Sequence, residues 1–358
     1  MIQQGDILQN RYQAIETLGE GGFGKVYEVI DRRDRGKRKV LKVLTVSRFS
    51  TDETKKTVLN LFRREVEVLQ QLSQQPNSHH LGIPKVESDG YFIWEPNEKQ
   101  VSHCLVMEKI NGVNLETWLK RWWNCPIGEH RAITWLKQLI EILDRLHSNN
   151  FFHRDIKPSN IMLKPNGKLV LIDFGAVKEY TASYLVSIGE REPGTQIISP
   201  GYTPSEQITG FSELRSDFFA LGRTFVHLLT GQHPIDLPVR DNTQLISQLD
   251  WRDKAPQVSD SLANLIDELM APNIEARPKN NREILQRIAA IEKGNDEKLL
   301  YRLGRSLQEL SVLELITINM VLFITLLITV PLWWVARQQP MTKPVMRSQE
   351  YPLDGRSY

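Results

Sequence analysis

The feature that constrains this chain most is a stretch without charge near its C-terminus. From Leu315 to Ala336 it reads LITINMVLFITLLITVPLWWVA, bounded by Glu314 and Arg337. These 22 residues make a helix of about 33 Å, enough to cross a hydrocarbon core of about 30 Å. Trp333 and Trp334 stand at the far end, where indoles favour the membrane–water interface. Pro331 falls in the last turns, where a lost backbone bond costs least. A helix buried in a large core is the alternative, but such helices are usually shorter and amphipathic. The run is therefore read as one transmembrane helix, residues 315–336. Basic residues do not orient it, since Lys298, Arg302 and Arg305 precede it while Arg337, Lys343 and Arg347 follow. The N-terminal MIQQGDILQNRY has no apolar run and is read as lacking a cleavable signal peptide. Everything before Glu314 is then expected to stay on the side where it is made.

The rest of the chain is globular in composition. Of 358 residues, 41% are apolar and 25% charged, which excludes a wholly disordered or collagen-like chain. A net charge of +2 gives no basis for a nucleic-acid partner. Two cysteines, Cys104 and Cys125, make neither a disulfide framework nor a Cys₄ zinc site. They are read as buried small hydrophobes in a reducing compartment.

Patterning divides the first 310 or so residues into a strand-rich and a helix-rich part. VYEVI and KVLKVLTV, broken by the charged turn DRRDRGKRK, read as strands. A helix follows, with Leu61, Val68, Leu69 and Leu72 roughly on one face. YFIW and HCLVMEKI read as further strands, leading to the glycine-containing link NGVNL. Beyond it come ITWLKQLIEILDRLH, SDFFALGRTFVHLLTG, SLANLIDELMA and NREILQRIAAIEK, all helical in pattern. The fold class is α+β. Leu299, Leu303, Leu307 and Leu310 recur at helical spacing, so residues 293–314 are expected to form a juxtamembrane amphipathic helix.

Gly19-Glu-Gly21-Gly-Phe-Gly24-Lys-Val26 fits several phosphate loops. A P-loop needs Ser or Thr where Val26 stands. A dinucleotide fold needs a helix directly after the glycines, but KVYEVI reads as a strand. A glycine-rich strand–turn–strand is left, with the glycines allowing close backbone approach to phosphate and Val26 roofing a flat base. A plain β-turn stays open until the later motifs are counted. Lys42 lies inside the apolar run VLKVL, 18 residues past Gly24, and Glu65 on the next helix can pair with it. Then come His153-Arg-Asp155-Ile-Lys157-Pro-Ser-Asn160 and Leu171-Ile-Asp173-Phe-Gly175. An Asp and an Asn five apart, with another Asp 13 residues on, supply a base and hard oxygen ligands. Phosphoryl transfer needs those parts together with cations that spread the charge.

In that order and over about 280 residues, these motifs resemble the eukaryotic-like protein kinases. The resemblance implies a two-lobed kinase fold over residues 12–292 with ATP in the cleft. The small lobe would be 12–107, the hinge 108–112 and the large lobe 113–292, with 1–11 before them and a 337–358 tail. Asp155 matches the catalytic base, and Lys157 would steady the γ-phosphate. Asn160 and Asp173 would hold Mg²⁺, while Arg154 would meet a phosphate from the activation segment. Lys42 and Glu65 belong to the ATP site, with Leu18, Gly19, Gly21, Gly24, Val26 and Val40. Glu108 and Ile110 fall at the hinge, Met107 at the gatekeeper position and Met162 on the floor. Glu206 would pair with Arg277, and Asp217 would brace the catalytic loop. The chain departs from the family at Val40, where a small residue is usual. It departs again at Pro204 and Ser205, where alanine and proline usually precede Glu206.

Lys157 and Ser199-Pro-Gly-Tyr202 resemble the serine/threonine branch, and SPGYTPSEQ is similar to bacterial kinases of cyanobacterial type with membrane anchors. Thr181, Ser183 and Thr195 in the activation segment are candidate phosphosites, beside Tyr184 and Ser187. Since ATP is cytoplasmic, the kinase domain is expected there, with the short tail across the membrane. The span would hold the enzyme near membrane substrates or pair it with a second copy as a homodimer. Protein serine and threonine hydroxyls are the expected acceptors. Two alternatives are a membrane-tethered pseudokinase or scaffold, and a small-molecule kinase. Intact Lys42, Asp155, Asn160 and Asp173 weigh against the first, the activation segment and the Glu206–Arg277 match against the second.

Overall fold

The computed structural model describes residues 2–308 except 22–23, 50, 76–81, 98–99, 176–177, 180–197 and 241–247. It divides between Lys293 and Gly294, and both lobes lie in the first unit, Met1–Lys293. The small lobe is an antiparallel sheet of strands β1 (Ile7–Leu8), β2 (Tyr12–Gly21), β3 (Gly24–Asp31), β4 (Lys37–Thr45), β5 (Val86–Asn97) and β6 (Gln100–Glu108), in the order β1-β2-β3-β4-β6-β5. Alternation along β4 sorts its side chains between two faces. Leu41 and Val43 join the outer cluster of Leu8, Tyr12, Val29 and Cys104. Leu44 faces the other way, into the main core. Lys42 shares the face of Leu44, and that register points a lysine into the cleft.

Helix α1 (Asp52–Ser73) packs on this inner face. It begins well before the Leu61 face that the sequence pattern picks out. Thr51 caps it by accepting from the Thr54 N–H at 3.1 Å, and Asp52 and Glu53 complement the positive helix start. The polar first turns hide this start from apolar periodicity. Phe62, Val66, Val68, Leu69 and Leu72 are buried, and Glu65 shares their face; Leu61 is only half-buried.

The large lobe is helical: α2 (Leu115–Arg121), α3 (Glu129–Ser148), α4 (Ser205–Ile208), α5 (Leu214–Thr230), α6 (Asp260–Leu269) and α7 (Asn281–Gln308). Helix α5 is buried over almost its whole length and carries the centre of the lobe through Phe218, Leu221, Phe225 and Leu229. A capping box between Glu213 and Ser216 starts it, and Gly231 at φ 69° ends it. A small sheet, β7 (Val113–Asn114), β9 (Ile161–Leu163) and β10 (Leu169–Leu171), lies under the cleft in the order β10-β9-β7. The two-residue β8 (Phe151–Phe152) precedes the loop that carries Asp155.

One expectation is corrected. Cys104 is buried, but Cys125 is exposed. It follows a left-handed turn at Trp123 and Asn124 that leads the chain away from the core after α2. Of the segment expected to form a juxtamembrane amphipathic helix, residues 293–308 fall within α7, and 309–314 lie outside the described residues. Among the described residues no helix is long and apolar enough to cross a membrane. The run 315–336 and the tail 337–358 lie outside the described residues.

Candidate active site

Lys42 on β4 and Glu65 on α1 meet in the cleft. Lys42 Nζ lies 2.8 Å from Glu65 Oε1, 2.7 Å from Oε2 and 2.8 Å from Asp173 Oδ1. Burial alone pulls the ammonium down, but the two carboxylates outweigh it, so Lys42 titrates above its ordinary value and stays charged. The Lys42 charge holds the Asp173 carboxyl down to about 2. Asp173 has φ 64°, a left-handed conformation rare for a residue with a side chain. Its neighbour Phe174 is buried edge-on against His153, with centroids 5.0 Å apart, and clamps the backbone there.

The loop at residues 153–160 is organised from below by Asp217 on α5. Its carboxylate accepts the N–H of His153 at 2.9 Å and of Arg154 at 2.7 Å, and His147 Nε2 lies 2.9 Å away. Burial raises this carboxyl, yet the hydrogen bonds from His147 and the loop amides outweigh it and hold it below its ordinary value. The same bonds stabilise Arg154 at φ 67°. With its backbone fixed, the loop presents Asp155 to the cleft. Lys157 Nζ donates to Asp155 Oδ2 at 2.8 Å, and Asn160 Nδ2 donates to the same oxygen at 2.9 Å. Ser199 Oγ donates to Oδ1 at 2.6 Å and accepts from Lys157 Nζ at 2.8 Å.

The β9–β10 hairpin explains why Asn160 and Asp173 meet. Ile161 pairs with Leu171, and the Ile172 N–H donates to Asn160 O at 2.9 Å, so the residues flanking the two strands share one end. The Asn160 amide nitrogen is engaged with Asp155, which turns its Oδ1 away as an oxygen donor. That oxygen and the Asp173 carboxylate are hard donors that fit Mg²⁺. Among the described residues, the one group of three side chains with metal-ligand spacing is Asp31, Asp34 and Glu87. Lys39 sits among these acids, 3.8 Å from Asp31 and 3.6 Å from Asp34 and paired with Glu87, so an ammonium already neutralises them.

Above the cleft, Gly19 pairs with Val26 and Gly21 with Gly24 across a strand–turn–strand. Gly24 has φ 133°, and a Cβ there would fall 2.0 Å from Val43 O, so no other residue fits this register. Leu18 is exposed at the lip, while Val26, Val40, Met107 and Met162 are half-buried. Val40 stands opposite Met107 on β6. Ile110 is buried, and the Glu108 N–H donates to Lys85 O at 2.8 Å, which fixes the end of β6.

Further down, Arg277 Nη1 donates to Glu206 Oε1 at 2.7 Å and to Arg215 O at 2.9 Å, and its Nε donates to Ala271 O at 2.8 Å. Ser216 Oγ donates to the same Glu206 oxygen at 2.9 Å. The departures at Pro204 and Ser205 leave this pair intact. Thr181, Ser183 and Thr195 lie outside the described residues. Sequence reasoning cited Ser199 only as a branch marker and missed its contacts with Asp155 and Lys157. The signal was its place just before the Pro-Gly-Tyr turn.

Residues 12–288 match the family profile described as the protein kinase domain. Among curated proteins, the chain is similar to serine/threonine-protein kinase F of Synechocystis sp., 35% identical over 286 residues, covering 78% of this chain and 55% of that protein. Serine/threonine-protein kinase PknA of Nostoc sp. is 32% identical over 281 residues, covering 78% and 47%. Serine/threonine-protein kinase D of Synechocystis sp. is 33% identical over 261 residues, covering 72% and 48%. The chain spans about half the length of these relatives.

Proposed function

Since the chain belongs to the protein kinase family, we propose that it is a serine/threonine protein kinase, moving the γ-phosphate of ATP onto protein hydroxyls. ATP and Mg²⁺ are the substrate and cofactor of this family. What carries the reading is the cluster on Asp155, whose two carboxylate oxygens are oriented by Lys157, Asn160 and Ser199.

Phosphoryl transfer asks a protein mainly for positioning and electrostatic stabilisation. Asp155 orients the acceptor hydroxyl and takes its proton. Lys157, bonded to the same carboxylate, sets a cation where charge builds on the phosphoryl oxygens. Lys42, held by Glu65, neutralises phosphate charge deeper in the cleft. Asn160 and Asp173 would hold Mg²⁺, which supplies further positive charge on the phosphates. Arg154, next to the base, would receive a phosphate formed at Thr181, Ser183 or Thr195 and so order the activation segment. The likeness of Lys157 and Ser199-Pro-Gly-Tyr202 to the serine/threonine branch, and the serine/threonine-protein kinases among the relatives, support serine and threonine as acceptors.

The finer reading is of a cyanobacterial-type enzyme held at a membrane by residues 315–336, with the kinase domain on the cytoplasmic side and 337–358 across the bilayer. The absence of charge from Leu315 to Ala336 supports it. The test is incubation of the full chain with labelled ATP and Mg²⁺, followed by phosphoamino-acid analysis, beside Asp155→Ala. Phosphoserine or phosphothreonine that disappears in the variant is expected. Equal labelling of both proteins would overturn the assignment.

A further inference from the structure

One surface feature is left over by the kinase chemistry. Helix α2 ends in Lys120, Arg121, Trp122 and Trp123, and both indoles stand in solvent, Trp122 61% exposed and Trp123 95% exposed. A bulky residue pays a steric cost in the left-handed region, yet Trp123 has φ 56° and Asn124 follows at 54°. The surroundings enforce this turn. Leu119 O accepts the N–H of Trp122 at 3.1 Å and of Asn124 at 3.0 Å, and Cys125 N–H donates to Trp122 O at 2.9 Å. Just past the end of α5, Gly231 comes so close that a Cβ on it would fall 2.0 Å from Asn124 O. A strained turn held from two sides, with a large apolar side chain pointed outward, is a feature that needs a use.

The surroundings of the tip have a definite chemistry. Trp122 packs on Trp118 at 6.3 Å, and Trp118 meets Trp135 edge-on at 5.4 Å. The guanidinium of Arg131 lies 5.4 Å from the Trp118 ring centroid, and the groove beside them measures ≈ 710 Å³. Arg121 is exposed and makes no ion pair among the described residues. Lys120 pairs with Glu116 at 2.6 Å. Among the described residues the local balance is therefore two cations without an ion pair, Arg121 and Arg131, in the groove with Trp118 and Trp122.

We propose that the Trp122–Trp123 turn is an interfacial anchor that seats the large lobe on an anionic lipid surface. An indole keeps its ring among the upper acyl carbons and its N–H among headgroups, and guanidinium groups beside it reach the phosphates. A protein partner would have to offer a pocket for an indole that projects almost completely, ringed by acidic groups. A headgroup layer accepts that shape without a matching pocket. The tip acts by itself, and the reading of residues 315–336 as a span only raises the local concentration of bilayer. Because α2 follows directly from β7 and the hinge, a seated tip fixes how the nucleotide cleft faces the membrane.

Cys125 supplies the probe, because it is exposed beside the tip while the Cys104 thiol is buried and pushed up to about 12. The full chain, labelled at Cys125 with a polarity-sensitive fluorophore, is mixed with vesicles of phosphatidylcholine, with or without phosphatidylglycerol. A blue shift on the anionic vesicles is expected, lost in Trp122→Ser/Trp123→Ser with phosphate transfer retained. Arg121→Gln should lower the inserted-to-free ratio about fivefold, one cation's share of the attraction to an anionic leaflet. A full chain with Leu322→Lys and Leu326→Lys, unable to span, should keep the shift, and flotation of the same samples reports the span separately. An unshifted label on anionic vesicles overturns the proposal, as does an equal shift on phosphatidylcholine alone. Loss of the shift in the Leu322→Lys/Leu326→Lys chain also overturns it. So does a shift that needs only raised protein concentration, which would assign the face to a second copy.

Discussion

Replacing Ser199 by Ala isolates one hydroxyl at the centre of the proposed chemistry. That hydroxyl donates to Asp155 Oδ1 at 2.6 Å and accepts from Lys157 Nζ at 2.8 Å. It is buried, so water does not take its place freely. A hydrogen bond to a charged partner contributes about 1.5–3 kcal/mol. If that orientation is used in the transition state, kcat falls about 10- to 150-fold in Ser199→Ala. The Lys42–Glu65–Asp173 cluster is untouched, so KM for ATP should hold steady. Ser199→Thr keeps the oxygen and should recover most of the rate. The assay is initial-rate phosphate transfer at varied ATP and varied protein substrate, with Tm measured to show that the variants are folded. An unchanged kcat in Ser199→Ala, or a Thr variant as slow as Ala, would refute the reasoning.

Three further outcomes follow from the same geometry. Arg277→Ala removes a buried guanidinium and leaves the half-buried Glu206 with only Ser216 as a partner among the described residues, which should cost about 3 kcal/mol and lower Tm by about 10 °C, read by thermal and denaturant unfolding. Gly24→Ala forces a Cβ against Val43 O at φ 133° and should weaken ATP binding, measured by calorimetry, with a stability loss of about 1–3 kcal/mol. Burial and the nearby His233 hold His227 down to about 4, from an ordinary 6.5, with Tyr202 Oη 2.6 Å from its Nδ1. The unfolded chain therefore binds a proton that the folded one refuses, so stability is full above about 6.5 and falls on acidification toward about 4. His227→Asn should flatten that part of the Tm-versus-pH curve, and an unchanged slope would remove His227 as its cause.

The sequence made the proposed catalytic groups legible because each sits in a short contiguous motif. Lys42 stands alone as a charge within VLKVL, and alternation along a strand suffices to turn it into the cleft. Asp155, Asn160 and Asp173 are joined by one hairpin, so their spacing already implies their meeting. Contacts that close over long distances were not legible. Ser199 reaches Asp155 across 44 residues, and its place before the Pro-Gly-Tyr turn does not say which groups its hydroxyl meets. The left-handed turn at Trp123 depends on Gly231 far along the chain, so the exposure of Trp123 and of Cys125 could not be read from LKRWWNC. The start of α1 at Asp52 was hidden because its first turns are polar and are held by a cap rather than by apolar periodicity.

The central claim is that one carboxylate, Asp155, drives phosphate transfer in a site whose nucleotide contacts are made elsewhere. The measurement that tests it most directly pairs calorimetric titration of Mg·ATP with single-turnover phosphate transfer, on the full chain and on Asp155→Asn. The account predicts that Asp155→Asn binds Mg·ATP as the parent does, while transfer falls by at least about 100-fold. Transfer at the parental rate in Asp155→Asn would contradict it.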